Sequence, residues 1–405
     1  MLQRLRFFFA NFVLYFVYIN MQLTRFVNAF KRLETPFYFY DLDILDQTLR
    51  LYTKITRKYG YHAHYAMKAN ANPQILEIIH RAGLGADCVS GNEVQLALDL
   101  GFDPDTIVFA GVGKTDKEIK MSLQGGIFSF NCESVQEIQV INDLAAQMGK
   151  TAGISLRLNP DLDAQTIKQI TTGRSKDKFG ISGKDLTEAL NVVNDCPNVK
   201  LLGIHIHIGS QITDMDVFVK LCEKMNTFQK WFEQRNVNLE HINMGGGVAI
   251  DYENPLGNPI SPFETYFETI HNNLEVRKGQ KVHFEPGRSL VAQSGFLISS
   301  VLYVKKGQGK EFVILDAGMN DLIRPALYQA KHVMYNITSK AKRKKIYDVV
   351  GPVCESSDRF DEFAKLPITE RGDLLAICSA GAYGQVMSMR YNQKELAQAY
   401  YSPEL

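Results

Sequence analysis

The feature of this sequence that most restricts its fold is a regular alternation of strand-like and helix-like segments. Short apolar, β-rich runs recur between residues 62 and 285, and segments with helical spacing lie between them. The strand-like runs are His62–Met67, Gly85–Val89, Thr106–Ala110, Gly126–Phe130, Gly153–Leu158, Leu202–Ile208, His241–Met244 and Val282–Glu285. The helical segments include Pro73–Ala82, Glu93–Leu100, Ser134–Met148 and Asp216–Arg235. Eight strand–helix repeats are typical of a (β/α)8 barrel, whereas the alternative, a doubly wound open sheet, more often stops at about five or six strands.

Beyond about residue 294 the pattern changes to strand-like segments with little helix. These segments are Gly295–Val304, Glu311–Leu315, Ile346–Val350 and Asp373–Cys378, and Phe37–Tyr40 is expected to pair with them. The lysine-rich run at 340–345 is expected to be a solvated loop. We therefore predict an α/β fold with a TIM-like (β/α)8 barrel over residues 61–292 and a C-terminal β-sandwich or β-barrel domain over residues 293–405. Residues 31–60 are expected to contribute to that β-domain.

The N-terminal residues 1–30 are treated as a separate extension. Phe7–Ile19 is mostly apolar and follows two arginines, which imitates the charged and apolar regions of a signal peptide. The run is too short for a membrane-spanning helix, which needs about 20 residues. Because Met21 offers a second start, we interpret residues 1–20 as an upstream extension rather than an export signal. A mature N-terminus near Phe30, found by sequencing the native protein, would instead indicate secretion.

Charge and cysteine content limit the function classes. The chain has 45 Lys and Arg against 44 Asp and Glu, so it lacks the basic excess that favours nucleic acid. Its 6 cysteines include no close pair and no CxxC, which argues against a disulfide framework and a zinc ribbon. The segment GVGKT at 111–115 imitates a nucleotide-binding P-loop, but position 108 is valine where that motif needs glycine. We expect a cytoplasmic enzyme acting on a small molecule, without nucleic-acid or membrane partners.

Polar side chains cluster where the barrel strands end, which is where such barrels build their sites. Lys68 follows the first strand, and burial lowers the pKa of a lysine toward that of a usable nucleophile, for example toward an aldehyde cofactor. The alternative is a lysine that extends into solvent. The other strand-end residues are Asp87, Ser90, Arg157, Asn159, His207, Ser210, Gly245, Gly246, Gly247, Glu285 and Arg288.

Three motifs among these residues keep alternative interpretations. The glycines after Met244 form either a phosphate-binding loop or a plain tight turn. His205 and His207 are two residues apart, so they point to the same face of their strand. They are interpreted as metal ligands, as side chains that line the barrel, or as rings that stack on a planar cofactor. Glu285 either keeps a pyridine nitrogen protonated or forms a local ion pair with Arg288.

Eight motifs, in order between residues 65 and 384, resemble those of the diaminopimelate decarboxylase family. They are YAMKAN, ADCVS, HIHIGSQ, NMGGG, HFEPGR, DAGMNDLIRPALY, GPVCESSD and SAGAYG. That family belongs to the pyridoxal-phosphate enzymes of alanine-racemase fold type, with a barrel followed by a β-domain. The resemblance implies a carboxy-lyase that converts meso-2,6-diaminopimelate to L-lysine and CO2, the last step of lysine biosynthesis. It also implies a homodimer whose subunits share their active sites.

The resemblance assigns cofactor roles to matching residues. Lys68 is implied to hold pyridoxal phosphate through a Schiff base, with Asp87 close by. His207 is implied to stack on the cofactor ring, and Glu285 to pair with the ring nitrogen. The residues implied to hold the phosphate or line the cofactor site are Ser210, Gly245, Gly246, Gly247, Gly287, Arg288 and Tyr383.

Substrate roles follow from the same resemblance. The substrate is implied to be bound by Arg288, Arg324, Tyr328, Glu355 and Tyr383, and Cys354 is implied to return a proton to the carbanion. Cys354 and Glu355 are expected to come from the neighbouring subunit. Decarboxylases of ornithine, arginine or carboxynorspermidine share several motifs, but Arg324 and Tyr328 suit a distal carboxylate rather than a bare amine. Such a related decarboxylase is the alternative function, followed by a non-catalytic pyridoxal-phosphate-binding barrel.

Overall fold

The computed structural model describes residues 23–164, 172–174 and 176–405. Residues 1–20, interpreted above as an upstream extension, lie outside the described residues. The chain divides into two compact units. The barrel unit comprises Gln47–Ala249 and Ser261–Leu290. The β unit comprises the described residues up to Asp46, together with Ile250–Ile260 and Val291–Leu405.

Eight parallel strands of the barrel unit close into a barrel in chain order. After β1 (Phe37–Tyr40), which belongs to the β unit, the barrel strands are β2 (His62–Ala66), β3 (Gly85–Cys88), β4 (Ile107–Phe109), β5 (Ser129–Cys132), β6 (Ala152–Arg157), β7 (Val199–His205), β8 (His241–Asn243) and β9 (Lys281–Phe284). Pairing of β2 with β9 closes the barrel. The closed barrel excludes a doubly wound sheet and, together with the separate β unit, confirms the predicted fold class.

Helices connect the barrel strands, and the sequence marks where several of them begin. Ser90 and Ser134 each accept a hydrogen bond from the N–H three residues later, and Thr115 forms a capping box with Glu118. Ser90, predicted among the strand-end site residues, therefore acts as a helix cap. The helices are Leu42–Tyr59, Pro73–Arg81, Gly91–Asp99, Asp116–Gly125, Val135–Gln147, Leu186–Asp195, Met215–Glu233, Phe263–Asn273 and Arg288–Val291. Across the described residues, no helix has both the length and the apolar character to cross a membrane.

The interior of the barrel carries polar side chains, whereas branched aliphatic residues dominate most barrels of this kind. Ser155 of β6 contacts His241 of β8, with 2.9 Å between Oγ and Nε2, and these strands are not neighbours. Such contacts identify the inward-facing side chains. We define the lower layer as His64, Ser129, Ser155, His241 and His283. The upper layer, toward the carboxyl ends of the strands, is Asp87, Asn131, His205, Asn243 and Glu285.

Hydrogen bonds fix the proton positions of two lower-layer histidines. Nδ1 of His64 lies 2.8 Å from the carbonyl oxygen of Thr106, and a carbonyl only accepts, so Nδ1 carries the proton. Nε2 of neutral His64 then accepts from Nδ1 of His283 across 2.7 Å. Burial lowers the pKa of both rings. Burial also lowers the pKa of His241 to about 3, with further contributions from His64 and His205.

We expect the protein to lose stability as pH falls below about 6.5, because unfolded His241 binds a proton near that pH and buried His241 does not. The contribution of His241 is fully present above the unfolded pKa and is lost as pH falls toward the folded pKa of about 3. At about pH 5 the loss from this residue alone is about 2 kcal/mol. Urea unfolding at about pH 7.5 and about pH 5 measures the difference.

His241→Asn is expected to reduce that pH dependence, because asparagine does not titrate. His271 is exposed on helix Phe263–Asn273, so His271→Asn is the matched control and is expected to behave as the parent. An unchanged pH dependence in His241→Asn would assign the acid sensitivity to other groups.

The β unit contains a mixed sheet in the order β12, β15, β10, β11, β13, β14. Its strands are β10 (Gly295–Lys306), β11 (Glu311–Leu315), β12 (Met334–Asn336), β13 (Lys344–Val350), β14 (Arg359–Pro367), β15 (Leu374–Ile377) and β16 (Gln398–Tyr401). Strand β1 pairs antiparallel with β10, as predicted, and parallel with β16. The prediction of a loop at 340–345 is wrong for Lys344 and Lys345, which begin β13. Lys345 Nζ lies 2.9 Å from Oε1 of Glu311, so a charge partner on β11 holds it in the sheet.

An aromatic core stabilises the β unit. Phe30 is fully buried and its ring lies 5.5 Å from that of Phe37 and 4.9 Å from that of Phe39. Tyr38 alternates to the opposite face of β1, where its hydroxyl donates to the carbonyl of Asp321 at 2.6 Å. Burying each phenylalanine contributes about 1.5–3 kcal/mol of transfer free energy. This contribution stabilises β1 although the strand has only four residues, all of which are buried.

Candidate active site

Lys68 lies beside a buried carboxylate at the carboxyl end of the barrel. Strand β2 ends at Ala66, and Lys68 follows in the short helix Met67–Ala69. Its Nζ lies 3.8 Å from Oδ2 of Asp87, the inward side chain of β3. The expectation of a buried lysine is wrong in degree, because the Lys68 side chain is 39% exposed where the barrel opens. The amine is therefore accessible to a ligand and lies within ion-pair distance of the Asp87 carboxylate.

Asp87 is unusual among the buried acids of the barrel. Its side chain is 1% exposed, and neither carboxylate oxygen has a hydrogen-bond partner within the described part of the chain. Burial and the nearby charge of Glu285 raise the pKa of Asp87 well above its usual value, and Lys68 opposes this shift. Buried oxygen atoms without donors indicate a place where a ligand or water completes the structure.

The glycine loop after β8 is shaped for close approach of its backbone. Gly245 and Gly247 have backbone φ angles of +66° and +116°, which residues other than glycine rarely adopt. A Cβ on Gly246 would lie 2.2 Å from the carbonyl oxygen of Glu285. A plain tight turn would explain the positive φ angles of Gly245 and Gly247 but not the lack of space for a side chain at Gly246. The geometry therefore supports a loop whose backbone lies directly against its neighbours at the strand ends.

His207 faces this loop as a neutral ring. The N–H of Gly246 donates to Nδ1 of His207 at 3.1 Å, so the proton of the neutral imidazole is on Nε2. Burial lowers the pKa of His207 well below its usual value, with Lys68 and Arg157 adding to the shift. A neutral aromatic ring at this position is suited to stacking on a planar ligand rather than to carrying charge.

Glu285 ends β9 and is held by side chains from three other strands. Its Oε1 accepts hydrogen bonds from Nδ2 of Asn131 at 3.2 Å and Nδ2 of Asn243 at 2.7 Å. Its Oε2 lies 2.9 Å from Nε2 of His205. Burial is the largest influence and opposes ionisation, but the contributions of His205 and of weaker neighbours such as Lys68 together outweigh it and hold the pKa of Glu285 well below its usual range. The upper layer therefore carries a buried, ionised carboxylate.

The structure also pairs Ser210 with Arg288. Arg288 Nε donates to Oγ of Ser210 at 3.2 Å, and Arg288 is 5% exposed. Gly287 precedes it and is tightly packed, since an added Cβ would lie 3.1 and 3.2 Å from the Cβ atoms of Ala66 and Ala69. Glu285 therefore has His205 as its neighbour, and Arg288 has Ser210. An ion pair between Glu285 and Arg288 is not needed to account for the burial of these two side chains.

Several strand-end residues have structural roles. Arg157 Nη1 lies 2.5 Å from Oε1 of Glu133, and Asn159 donates to the carbonyl oxygens of Arg174 and Phe179. Lys114, the lysine of GVGKT, is buried and donates to Glu137 and to the carbonyl oxygens of Gly111 and Asn131. These residues organise the loops around the site rather than reach into it. Among residues 23–164, 172–174 and 176–405, no group of three or more His, Cys, Asp and Glu side chains could hold a metal ion.

The remaining predicted residues lie in the β unit, where Arg324 is the centre of an aromatic cluster. Arg324 is 5% exposed, and its Cζ lies 5.8–5.9 Å from the ring centroids of Tyr252, Tyr328 and Tyr383. Its Nη2 donates to the hydroxyl of Tyr252 at 3.1 Å, and its Nε donates to Nε2 of His332 at 3.4 Å. Tyr383 has φ of +55°. The structure therefore brings Arg324, Tyr328 and Tyr383 together and adds Tyr252 and His332.

Cys354 and Glu355 lie on an exposed loop between β13 and β14. Both side chains are exposed, and Glu355 Oε1 accepts a hydrogen bond from the hydroxyl of Tyr391 at 2.8 Å. Asp358 shapes the loop by accepting hydrogen bonds from the backbone N–H groups of Met319 and Val353 at 2.7 and 2.6 Å. In a single chain, a thiol and a carboxylate are thus presented outward on an ordered loop.

Comparisons with known proteins agree with this geometry. A sequence model described as the pyridoxal-binding domain of pyridoxal-dependent decarboxylases matches residues 45–292. Diaminopimelate decarboxylase of Bacteroides thetaiotaomicron is 51% identical over 380 residues, which are 94% of this chain and 98% of that protein. The crystal structure of Helicobacter pylori diaminopimelate decarboxylase complexed with L-lysine is 39% identical, with a TM-score of 0.86, over 93% of this chain and 94% of that chain. The enzyme of M. jannaschii, also with L-lysine, is 31% identical with a TM-score of 0.85, over 93% and 89%.

Proposed function

Because this chain belongs to the diaminopimelate decarboxylases, a family of pyridoxal-dependent decarboxylases, we propose that it removes one carboxyl group of meso-2,6-diaminopimelate as CO2 and leaves L-lysine. The observation that carries the reaction class is the ionised carboxylate of Glu285, held by three side-chain nitrogens in the barrel that bears Lys68. An acid in this position keeps a pyridine nitrogen protonated, which favours loss of CO2.

Pyridoxal phosphate fits the residues of the barrel unit on two further observations. Gly246 leaves no space for a side chain, so its loop can lie close to a phosphate, and Asp87 has two buried oxygens without hydrogen-bond donors. A carboxylate accepts about four hydrogen bonds, and Glu285 accepts two at Oε1 from Asn131 and Asn243, so Oε2, beside His205, retains acceptor capacity. When bound, the cofactor supplies an electron sink for the electron pair left on the substrate Cα.

Each residue of the barrel unit then has a defined task. Lys68 would hold the cofactor covalently, and Asp87 would keep the amine of Lys68 in place. His207 would stack on the ring, and Glu285 would hold the proton on the ring nitrogen. The phosphate and the rest of the cofactor would be held by Ser210, Gly245, Gly246, Gly247, Gly287 and Arg288 of this unit, and the resemblance assigns the same role to Tyr383 of the β unit.

The substrate would be selected by charge at its distal end. Arg324 and Tyr328 would bind the distal carboxylate, because a guanidinium presents a fixed pair of donors to it. Glu355 would bind the distal amine, and Arg288 and Tyr383 would contact the substrate near the reacting carbon. Cys354 Sγ would deliver a proton to the substrate Cα after CO2 has left. Ornithine and arginine lack the distal carboxylate, so they would leave Arg324 without its partner.

The direct test of this function is CO2 release from meso-diaminopimelate, ornithine and arginine by the cofactor-loaded enzyme. We expect kcat/KM for meso-diaminopimelate to exceed the others by at least about 10³-fold, since a site built for a polar group strongly rejects analogues that lack it. Comparable CO2 release from ornithine or arginine would support the alternative, a decarboxylase of a related basic amino acid. No CO2 from any of them, with cofactor bound, would support a non-catalytic barrel.

Arg324→Ala is expected to raise KM for meso-diaminopimelate by about 10- to 100-fold, the cost of losing a hydrogen-bonded charge partner. The cofactor dissociation constant is expected to stay within about twofold, because Arg324 has no cofactor role. Steady-state kinetics and cofactor titration measure the two quantities. Arg390→Ala, which removes a 66% exposed arginine of the same unit, is the matched control. An unchanged KM in Arg324→Ala would mean that the distal carboxylate is bound elsewhere.

We also propose a homodimer in which Cys354 and Glu355 serve the active site of the partner subunit. Their exposure on an ordered loop of the single chain supports this arrangement. Mixing inactive Lys68→Ala chains with inactive Cys354→Ala chains is expected to restore part of the activity, because one site of a mixed dimer then has both residues. No recovery after subunit exchange, verified by sedimentation, would contradict shared sites.

We further propose residues 61–292 as the cofactor-binding domain, and residues 293–405 with 31–60 as the β-domain; the compact units differ from these bounds mainly at residues 47–60, which belong to the barrel unit, and at 250–260, which belong to the β unit. Hydrogen exchange is expected to give these two blocks separate protection levels, and a boundary elsewhere would contradict the division.

We propose a cytoplasmic location, which the free state of all six cysteines supports. Recovery of the native protein in a secreted or membrane fraction would contradict it.

A further inference from the structure

His205 is the side chain that lies against Oε2 of Glu285, on the opposite oxygen from its two amide donors. Asn131 and Asn243 supply neutral amide donors to Oε1, whereas His205 lies with Nε2 2.9 Å from Oε2. The side chains of His205 and Glu285 are 1% and 5% exposed. The contact is therefore closed to water, and His205 contributes more than any other neighbour to the lowered pKa of Glu285.

We propose that His205 is a positioning residue that keeps Glu285 ionised and oriented, and that removing His205 therefore removes the proton from the ring nitrogen of the bound cofactor. This inference rests on the proposed function, in which Glu285 pairs with that nitrogen. His205 itself touches neither cofactor nor substrate in this role. It acts through the carboxylate.

The strand register explains why His205 has this position. His205 lies opposite Asn243 in the pairing of β7 with β8, so both side chains point into the upper layer and reach the same carboxylate. Glu285 is fixed from the backbone side as well, because its N–H donates to the carbonyl of Gly245 at 2.7 Å. With its position set on three sides, the carboxylate has little freedom to seek another cation if His205 is removed.

The other charged groups near Glu285 do not substitute for His205. Lys68 lies beside Asp87 at 3.8 Å, and Arg157 is paired with Glu133 at 2.5 Å. His207 accepts from Gly246 and is neutral in that contact. Loss of His205 would remove a polar neighbour from Oε2 in a buried site, and a carboxylate in that condition takes up a proton more readily.

Pyridoxal phosphate labelled with ¹⁵N in its ring tests the proposal, because the ¹⁵N chemical shift reports directly whether the ring nitrogen carries a proton. Parent enzyme is expected to show the shift of a protonated ring from about pH 6 to about pH 9. His205→Phe, which fills the space without a donor, is expected to show the shift of an unprotonated ring. Glu285→Gln is the reference for complete loss and is expected to give the same shift.

Two conservative variants separate positioning from packing. His205→Gln places an amide nitrogen near the position of Nε2 and is expected to lie between the parent and His205→Phe. His205→Asn reaches only the position of Nδ1 and is expected to resemble His205→Phe. It also carries the test if the phenylalanine variant does not fold. In the loss variants kcat is expected to fall about 10- to 100-fold, the effect of one hydrogen bond to an ion, with KM within about twofold.

A merely structural role for His205 makes a different prediction. It would lower the unfolding temperature while the ¹⁵N shift stays that of a protonated ring in His205→Phe and His205→Asn, and this result would overturn the proposal. Failure of the parent enzyme to bind cofactor or to release CO2 from meso-diaminopimelate would instead count against the proposed function. The two failures are therefore distinguishable.

Discussion

Replacing Lys68 with alanine is expected to abolish decarboxylation, with kcat reduced by at least about 10³-fold. The side chain is partly exposed at the mouth of the barrel, so its amine can reach a bound aldehyde, and alanine offers no nucleophile in its place. The variant is also expected to lose the visible absorbance of the covalently held cofactor. Both effects are measured on the same sample, by absorbance spectroscopy and by CO2 release.

Lys200→Ala is the matched control for this experiment. Lys200 lies on β7 of the same unit, is 59% exposed and pairs with Glu240 at 2.6 Å, so its loss is expected to leave absorbance and turnover unchanged. If Lys68→Ala retained both the absorbance and the turnover, a different lysine would have to hold the cofactor, and the assignment of Lys68 would be wrong.

Gly246→Ala is expected to weaken cofactor binding by about 10- to 100-fold, the range that follows from overpacking a tightly built position. The added Cβ would lie 2.2 Å from the backbone carbonyl oxygen of Glu285, which is closer than any real contact. Either the glycine loop or the end of β9 must move. Because Glu285 hydrogen-bonds to Gly245 through its backbone, both movements disturb the site. Titration of the apoprotein with pyridoxal phosphate measures the dissociation constant.

Gly183→Ala tests whether any glycine replacement has this effect. Gly183 belongs to the same unit, and a Cβ there meets no atom within 4 Å. Its dissociation constant for the cofactor is expected to remain that of the parent. Equal affinities for the two variants would show that the loop at Gly246 yields without cost and does not define the cofactor site.

Much of the fold could be predicted from the sequence because its periodicity is strong. Parallel barrel strands are short and buried, and the helices between them begin at residues such as Ser134 and Thr115 whose side chains cap a first turn. The positions of Lys68, Glu285 and the glycine loop at strand ends follow from the same pattern, since parallel strands all end on one side of a barrel.

The partners of the site residues could not be predicted in the same way. Asn131 and Asn243 are ordinary strand residues in the sequence, and only the closed barrel brings them to Glu285. Tyr252 and His332 contact Arg324 across long separations in the chain, with no local motif to mark them. The strand-end rule also selected Ser90, which instead caps a helix, because a polar residue after a strand serves either purpose.

The pairing of β1 with β16 has a consequence for how the protein is made. Phe37 lies opposite Gln398, so the two strands are separated by almost the whole described chain, whereas the barrel is complete at residue 284, where β9 pairs with β2. During synthesis, the barrel can therefore form while β1 still lacks its partner from the other end of the chain. Pairs of such high contact order form slowly. Until β16 emerges from the ribosome, one edge of β1 stays open, and this nascent state is where we expect aggregation and chaperone dependence to concentrate.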